Sequence, residues 1–279
     1  MDLYMNGYSY RGYEMGYALR KAREFGYRGV ELRSFSDIDI STPETVTRTL
    51  ERATPLLSDL DLAVCSVWYG PLAVSRADEF LAEEKAFCDV LGVLAQYGVP
   101  ILHTHLSLLR ADGWGEVISA GAVAADYEAV RRALDRVAPV AEREGVKIAI
   151  ETHMGRIHDS AASLLRILTE CPSAHIVACL DYANMLIVNP QESFAEKIQL
   201  FGSRIGYTHI KNVKLLPGGY DWNLSVRWGD VNYYRVFEAL KKVGYGGACT
   251  VEYCGTGDPD VFVADDARYL NELAVRVGM

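Results

Sequence analysis

Eight short apolar runs alternate with longer amphipathic ones, and this rhythm constrains the fold more than any single motif. The runs are "LYMNGYS" at 3–9, "GVELR" at 29–33, "LAVCSVW" at 62–68, "PILHTHL" at 100–106, "KIAIET" at 147–152, "HIVACLD" at 175–181, "RIGYTHI" at 204–210 and "ACTVEY" at 248–253. Each has the length and composition of a strand. Between them the apolar spacing is helical. "TPETVTRTLERATPLLSDL" begins on a Ser41/Thr42 cap, "ADEFLAEEKAFCDVLGVLAQYGVP" stops at Gly98 and Pro100, "DSAASLLRILTEC" opens on Asp159/Ser160, and "PQESFAEKIQLFG" opens on Pro190. The hand-overs "GYRGVE", "QYGVPIL", "REGVKIA" and "KVGYGGACTVE" repeat one device, a glycine that ends a helix and passes the chain to a strand.

Eight strand–helix units in 279 residues, with no linker rich in Pro, Ser or Gly, predict an α/β chain forming one (β/α)8 TIM barrel over residues 1–279. The usual size of that fold is about 250 residues. An open doubly wound sheet fits less well, because it rarely needs eight strands and carries a Gly-rich phosphate loop after the first. Two connections exceed what a barrel needs, 107–122 after the fourth strand and 212–229 after the seventh. Both follow strand C-terminal ends, where barrels build their sites, so both are expected to be lids or substrate-contacting loops.

Half of the residues are apolar, enough for a large core without disulfides. The six cysteines are scattered, with no CxxC pair, and read as reduced thiols. Lys and Arg total 28 against 37 Asp and Glu, a net charge of -9 with no basic tract, which argues against binding nucleic acid or an anionic membrane. The chain begins without a basic-then-apolar leader and holds no run of about 18 apolar residues. It reads as a soluble cytoplasmic protein.

Side chains alternate along a strand, and in a barrel the outward set packs on helices and is apolar. Ile148 and Ile150 therefore face out, leaving Ala149, Glu151 and His153 inside. By the same rule Asp181 follows Val177 and Cys179 inward, His209 and Lys211 follow Tyr207, and Glu252 follows Thr250. Glu151, Asp181, His209 and Glu252 are separated by 30, 28 and 43 residues, about one unit each, the last gap enlarged by the 212–229 loop. They converge at one rim. Three carboxylates crowded there repel unless a cation compensates them, so the arrangement calls for a divalent metal. Oxygen donors with one imidazole favour Mn2+, then Mg2+ or Co2+, with Zn2+ still open.

Other residues join them as candidates. His103 and His105, flanked by outward Leu102 and Leu106, point inward; His105 is nearer the rim and His103 reads as packing one layer deeper. His105 and His153 are either site residues or satisfied inner histidines. His158 and His175 read as surface residues. Lys211 either holds a substrate oxygen or pairs with a rim acid, and Glu31 either binds a substrate hydroxyl or pairs with Arg33. Trp68, Tyr69, Trp114, Trp222 and Trp228 lie in or near strand-end loops, where each either stacks on a bound ligand or packs within its loop, and Arg227 is placed to reach in from the seventh loop.

The segments "GYRGVELR", "KIAIETH", "ACLDYANM", "GYTHIKN" and "RWGDVNYYRVFEALKKVGYGGACTVEY" span most of the chain. Together they resemble the xylose isomerase-like TIM-barrel superfamily, the sugar phosphate isomerase/epimerase group that includes tagatose and allulose 3-epimerases, inosose dehydratases and hydroxypyruvate isomerases. The resemblance implies that Glu151, Asp181, His209 and Glu252 are the metal ligands and that Glu151 and Glu252 also shuttle protons. It implies proton abstraction next to the carbonyl of a sugar, keto-sugar or cyclitol, through a metal-stabilised enediolate. The sequence departs from several epimerases in carrying Asn184, a candidate substrate contact, where they place a histidine, and in adding His153. A histidine beside a metal also suits β-elimination, so a lyase is the second expectation: an inosose dehydratase, or the catalytic subunit of a 3-oxo-C-glycoside deglycosidase, which works with a small second subunit. A homo-oligomer is a further implication. An endonuclease IV-like phosphodiesterase shares the barrel but needs more histidines and a basic surface.

Overall fold

A computed structural model, described for residues 1–77 and 81–279, shows eight parallel strands closed into a barrel. They are β1 (Leu3–Asn6), β2 (Gly29–Leu32), β3 (Ala63–Trp68), β4 (Ile101–Thr104), β5 (Lys147–Glu151), β6 (Ile176–Asp181), β7 (Ile205–Ile210) and β8 (Cys249–Val251). Each pairs with its successor in the sequence, and β8 closes on β1 through Leu3 opposite Cys249. The helices among the described residues are α1 (Met15–Glu24), α2 (Pro43–Asp59), α3 (Ala82–Gln96), α4 (Ala124–Glu144), α5 (Ala161–Glu170), α6 (Tyr182–Val188), α7 (Phe194–Phe201), α8 (Tyr233–Lys242) and α9 (Pro259–Val277). This is the expected (β/α)8 barrel as a single domain. None of these helices is long and apolar enough to cross a membrane.

Local chemistry explains the element ends. Thr42 and Ser160 cap α2 and α5, each in a reciprocal pair with the residue three further on, Thr45 and Ser163. Gly26, Gly98, Gly145 and Gly244 sit at φ between +67° and +80°, the left-handed turn that lets each helix fold back to the next strand. The reading of α7 from Pro190 is corrected: Ser193 is its cap, accepting from the Glu196 N–H, so the helix starts at Phe194. Part of the expected start of α3, residues 78–80, lies outside the described residues.

The alternation along the strands is as expected. Ile148, Ile150, Ile176, Ala178, Leu180, Ile210 and Val251 join the core between barrel and helices. Cys65, Ile101, Ala149, Val177, Cys179 and Tyr207 form a separate, small cluster inside the barrel. Above that plug lies a polar layer centred on Glu31, which is fully buried. Glu31 accepts from Asn6 Nδ2 at 2.9 Å, Ser66 Oγ at 2.7 Å, Tyr207 OH at 2.8 Å and His103 Nδ1 at 3.0 Å. Four strands thus supply the hydrogen bonds that a buried carboxylate on a fifth requires. The 212–229 loop contains a hairpin, Lys214–Leu216 antiparallel to Gly219–Asp221. The 107–122 loop starts from a short strand, Leu106–Ser107, parallel to Leu72–Ala73. All six cysteines are unpaired.

Candidate active site

Strands β5 to β8 each bring one residue to the C-terminal mouth: Glu151, Asp181, His209 and Glu252. One ligand atom from each lies within 4.8 Å of the others, and the four side chains are buried. His209 Nδ1 is the hub, 3.2 Å from Glu151 Oε1 and 3.8 Å from both Asp181 Oδ2 and Glu252 Oε2. Asp181 also caps α6, its Oδ1 accepting from the Asn184 N–H at 2.9 Å. Lys211, expected inward, lies with its Nζ 2.9 Å from Asp181 Oδ2 and 2.9 Å from Glu252 Oε2. Arg33 Nη1 reaches Glu252 Oε1 at 3.3 Å, and its guanidinium lies over the rings of Trp68 and Tyr8.

Burial pushes every carboxyl of this cluster upward, and the outcome depends on what opposes it. At Glu151 the rings of His209, His103 and His105 prevail and hold it well below the usual carboxylate range. At Glu252 the opposition of Lys211, His209 and Arg33 prevails, and its pKa falls to about 2. At Asp181 burial prevails over Lys211, with Glu151 adding to it, and the pKa rises to about 7. Burial also works against the cationic forms of His209 and Lys211. The neighbouring acids outweigh it at both, and both are held well above their ordinary values. The mouth of the barrel is a site organised to hold positive charge among acids.

The four residues fit a divalent metal ion. Asp181 Oδ2 and His209 Nδ1 are buried without an aligned hydrogen bond, although the Lys211 ammonium stands close to the former. Three carboxylates and one imidazole converging with unengaged donor atoms are the donor set of such an ion.

The mouth opens into a cavity of about 280 Å3. Glu151, Glu252, Lys211, Asn184 and His153 line it, so these expected site residues are brought together. Asn184 Nδ2 lies 3.2 Å from Glu151 Oε1. His105 stands just behind, its Nε2 2.6 Å from Glu151 Oε2. His153 Nδ1 donates to the Met154 carbonyl, and burial pulls its pKa down. The 212–229 loop contributes Tyr220 and Trp222 to the lining. Tyr8, Arg33, Met154 and Cys254 complete the lining and were not anticipated, because each follows a strand end with no pattern of its own.

Several expectations are corrected. Trp114 is 83% exposed at the tip of the 107–122 loop and does not line the cavity. Arg227 is turned to α9, where it pairs with Asp265 at 3.0 Å and lies over Tyr269. Its neighbour Val226 donates to the buried carboxylate of Asp266, which anchors the base of the loop. Glu31 lies beneath the cavity rather than in it, its oxygens taken by four protein donors, and of its two expected roles the pairing with Arg33 is the one present, Nη1 standing 4.0 Å from Oε1. His158 is not a surface residue: it is fully buried, its Nδ1 donating to the Glu151 carbonyl and its Nε2 accepting from the Leu106 N–H. The spacing in "ETHMGRIH" gave no sign of that, since the contact crosses from β5 to the end of β4. His103 is more than packing, bridging Glu31 and Glu151.

A closed parallel barrel with buried carboxylates and an imidazole converging at its C-terminal mouth defines a (β/α)8 protein with a candidate metal centre. The chain belongs to the xylose isomerase-like TIM barrel family, whose model matches residues 19–273. It is similar to a mannonate dehydratase from Shouchella clausii, 31% identical over 133 residues that cover 43% of this chain and 36% of that one. The chain spans less than half the length of the curated relatives it matches. In structure it is similar to D-allulose 3-epimerase from Methylomonas sp., with a TM-score of 0.76, 17% identity and 98% of each chain covered. It is also similar to the IolI protein, solved with a bound zinc atom, with a TM-score of 0.73, 16% identity and 99% of each chain covered. At these identities the structural likeness carries the fold.

Proposed function

We propose that this protein is a divalent-metal-dependent isomerase or epimerase of a keto-sugar or cyclitol, moving a proton on a carbon next to a carbonyl. The observation that carries this reading is that Glu151 and Glu252, both held as carboxylates, line one small polar cavity beside His209 and Asp181. A cavity of about 280 Å3 is at the small end of ligand pockets, which run from about 300 Å3 upward. A divalent ion held by Glu151, Asp181, His209 and Glu252 supplies Lewis-acid polarisation of a substrate carbonyl.

The protein's own groups manage the proton. A carboxylate accepts the proton from carbon, and a second group on the other side of the substrate returns one. Asn184 and His105 hold Glu151 in place, while Lys211 and Arg33 do the same for Glu252. Tyr8, Tyr220 and Trp222 offer ring faces to a sugar and narrow the entrance to water.

A second reading, β-elimination by a dehydratase or lyase, is favoured by Lys211, an ammonium held cationic on the cavity wall, where it can hydrogen-bond a leaving oxygen and offset its developing charge. The likeness to mannonate dehydratase is in keeping with it. His153 suits the acid's part poorly: its Nδ1 proton is engaged with Met154 and its lowered pKa leaves Nε2 a proton acceptor.

The test is turnover in D2O across ketoses, inososes and 3-oxo-glycosides, before and after EDTA. Deuterium entering beside the carbonyl with a change of configuration or carbonyl position is the expected result. Release of water or an aglycone selects the second reading. Full activity after exhaustive chelation sinks both.

A further inference from the structure

Two cations line the cavity, and they differ in how fully their donors are used. Lys211 Nζ stands 2.9 Å from Asp181 Oδ2 and 2.9 Å from Glu252 Oε2. Arg33, which follows β2, makes one long hydrogen bond, from Nη1 to Glu252 Oε1 at 3.3 Å. The same Nη1 is 4.0 Å from Glu31 Oε1, an oxygen that already accepts from Asn6. Arg33 Nε is buried without an acceptor. The ring centroids of Trp68 and Tyr8 lie 4.4 and 5.0 Å from its Cζ, so the guanidinium is held as a stacked plane whose donors point outward along its edge. A guanidinium carries five N–H donors. Donors left so nearly empty at the wall of a cavity call for an acceptor that the protein itself does not supply.

We propose that Arg33 is a specificity residue for an anionic substrate, binding the carboxylate of a keto-sugar acid. The inference rests on the isomerase or epimerase reading of the cavity and adds the charge of what enters it. The order of strands around the barrel sets β2 opposite β6, so Arg33 and Asn184 face the cavity from opposite sides. A sugar whose carbonyl end lies toward Glu151 and Asn184 brings its far carbon to Arg33. A carboxylate there accepts parallel hydrogen bonds from the guanidinium edge, a geometry that an ammonium cannot match. The cavity of about 280 Å3 favours a carboxylate over a phosphate ester. The former adds a single oxygen to the hydroxymethyl group it replaces, the latter a whole phosphoryl group. Barrels also seat phosphate on backbone N–H groups at helix starts after strands 7 and 8. Here those starts carry side-chain caps, Asn232 accepting from the Arg235 N–H at α8 and Asp258 from the Asp260 N–H at α9.

The test is isothermal titration of the Mn2+-supplemented protein with matched sugars. D-fructose is paired with D-fructuronate, which differs in bearing a carboxylate at its last carbon, and D-tagatose with D-tagaturonate; D-fructose 6-phosphate is the phosphate arm. The wild type should bind at least one of the acids about 30-fold more tightly than its neutral partner. In R33Q that ratio should fall to about one, and in R33K, which keeps the charge and loses the fork, to about five. Arg33 also supports Glu252, but a change there weakens both members of a pair and cancels in the ratio. Circular dichroism confirms the fold, and R33K carries the test if R33Q does not fold. No preference within either pair, or a preference that survives in both folded variants, overturns the inference. Tighter binding of D-fructose 6-phosphate than of either acid overturns the carboxylate. Deuterium uptake from D2O, measured on the same sugars, separates this from the reading beneath it. Uptake into D-fructose or D-tagatose with no preference for an acid leaves the isomerase or epimerase standing and removes the anion site. A preference abolished in R33Q, with no uptake into any of these sugars, keeps the anion site and removes the isomerase or epimerase.

Discussion

Replacing His158 with alanine should destabilise the barrel at neutral pH and matter less in acid. The ring bridges two strand ends, donating to the Glu151 carbonyl and accepting from the Leu106 N–H at 2.9 Å. Its loss strands two buried backbone groups at about 1–3 kcal/mol each, and the cavity left behind adds to that. A destabilisation of about 3–5 kcal/mol at pH 7.5 is the expectation. Burial, only partly offset by the Glu151 carbonyl, lowers the His158 pKa from 6.5 to about 4. Between those values the unfolded chain binds a proton that the folded chain excludes. The stability that His158 contributes is therefore complete above pH 6.5 and is lost as pH falls toward 4. At about 1.36 kcal/mol per pH unit the whole window is worth about 3 kcal/mol, of which about 2 kcal/mol is gone by pH 5. Urea unfolding of wild type and H158A at pH 7.5 and 5.0 measures this directly. The difference between the proteins should shrink by about 2 kcal/mol in acid. An equal difference at both values would refute a buried neutral His158.

Glu252→Gln should lower kcat by about 100-fold or more, read by steady-state kinetics below the melting transition, while the loss of its pairing with Lys211 and Arg33 lowers the thermal midpoint. Unchanged kcat in the folded variant would remove Glu252 from the proton transfer. Trp222→Ala removes a ring from the cavity wall that also faces Lys211 at 5.3 Å. It should raise KM about fivefold, for an aromatic contact of about 1 kcal/mol. Trp114→Ala, at 83% exposure, should change neither KM nor, beyond about 0.5 kcal/mol, stability. A raised KM there would return the 107–122 loop to the substrate.

The barrel was legible because its signals are local and repeated. Alternation on β5 to β8 assigned the inner faces, and glycines with positive φ marked where helices give way to strands. The four converging residues followed from that phase alone, since inward position at a strand end is a property of the strand itself. What escaped depends on contacts across the barrel. Arg33 reaches Glu252 from β2 to β8, and His158 reaches back to Leu106, distances in sequence that no periodicity encodes. Trp114 and Arg227 misled for a related reason. A loop's origin at the catalytic face does not fix where its side chains turn, and Arg227 found its acid on α9 instead.

Asp181 divides its two oxygens between tasks of different kinds, Oδ2 toward the cluster and Oδ1 toward the first turn of α6. A carboxylate rotates as one plane, so any event that pulls Oδ2 into a tighter bond also moves the acceptor on which the helix start depends. The Asn184 amide becomes a gauge of the site that needs neither substrate nor turnover. Its rate of hydrogen–deuterium exchange should track the state of the cluster, slowing as Asp181 is fixed and quickening as it is freed.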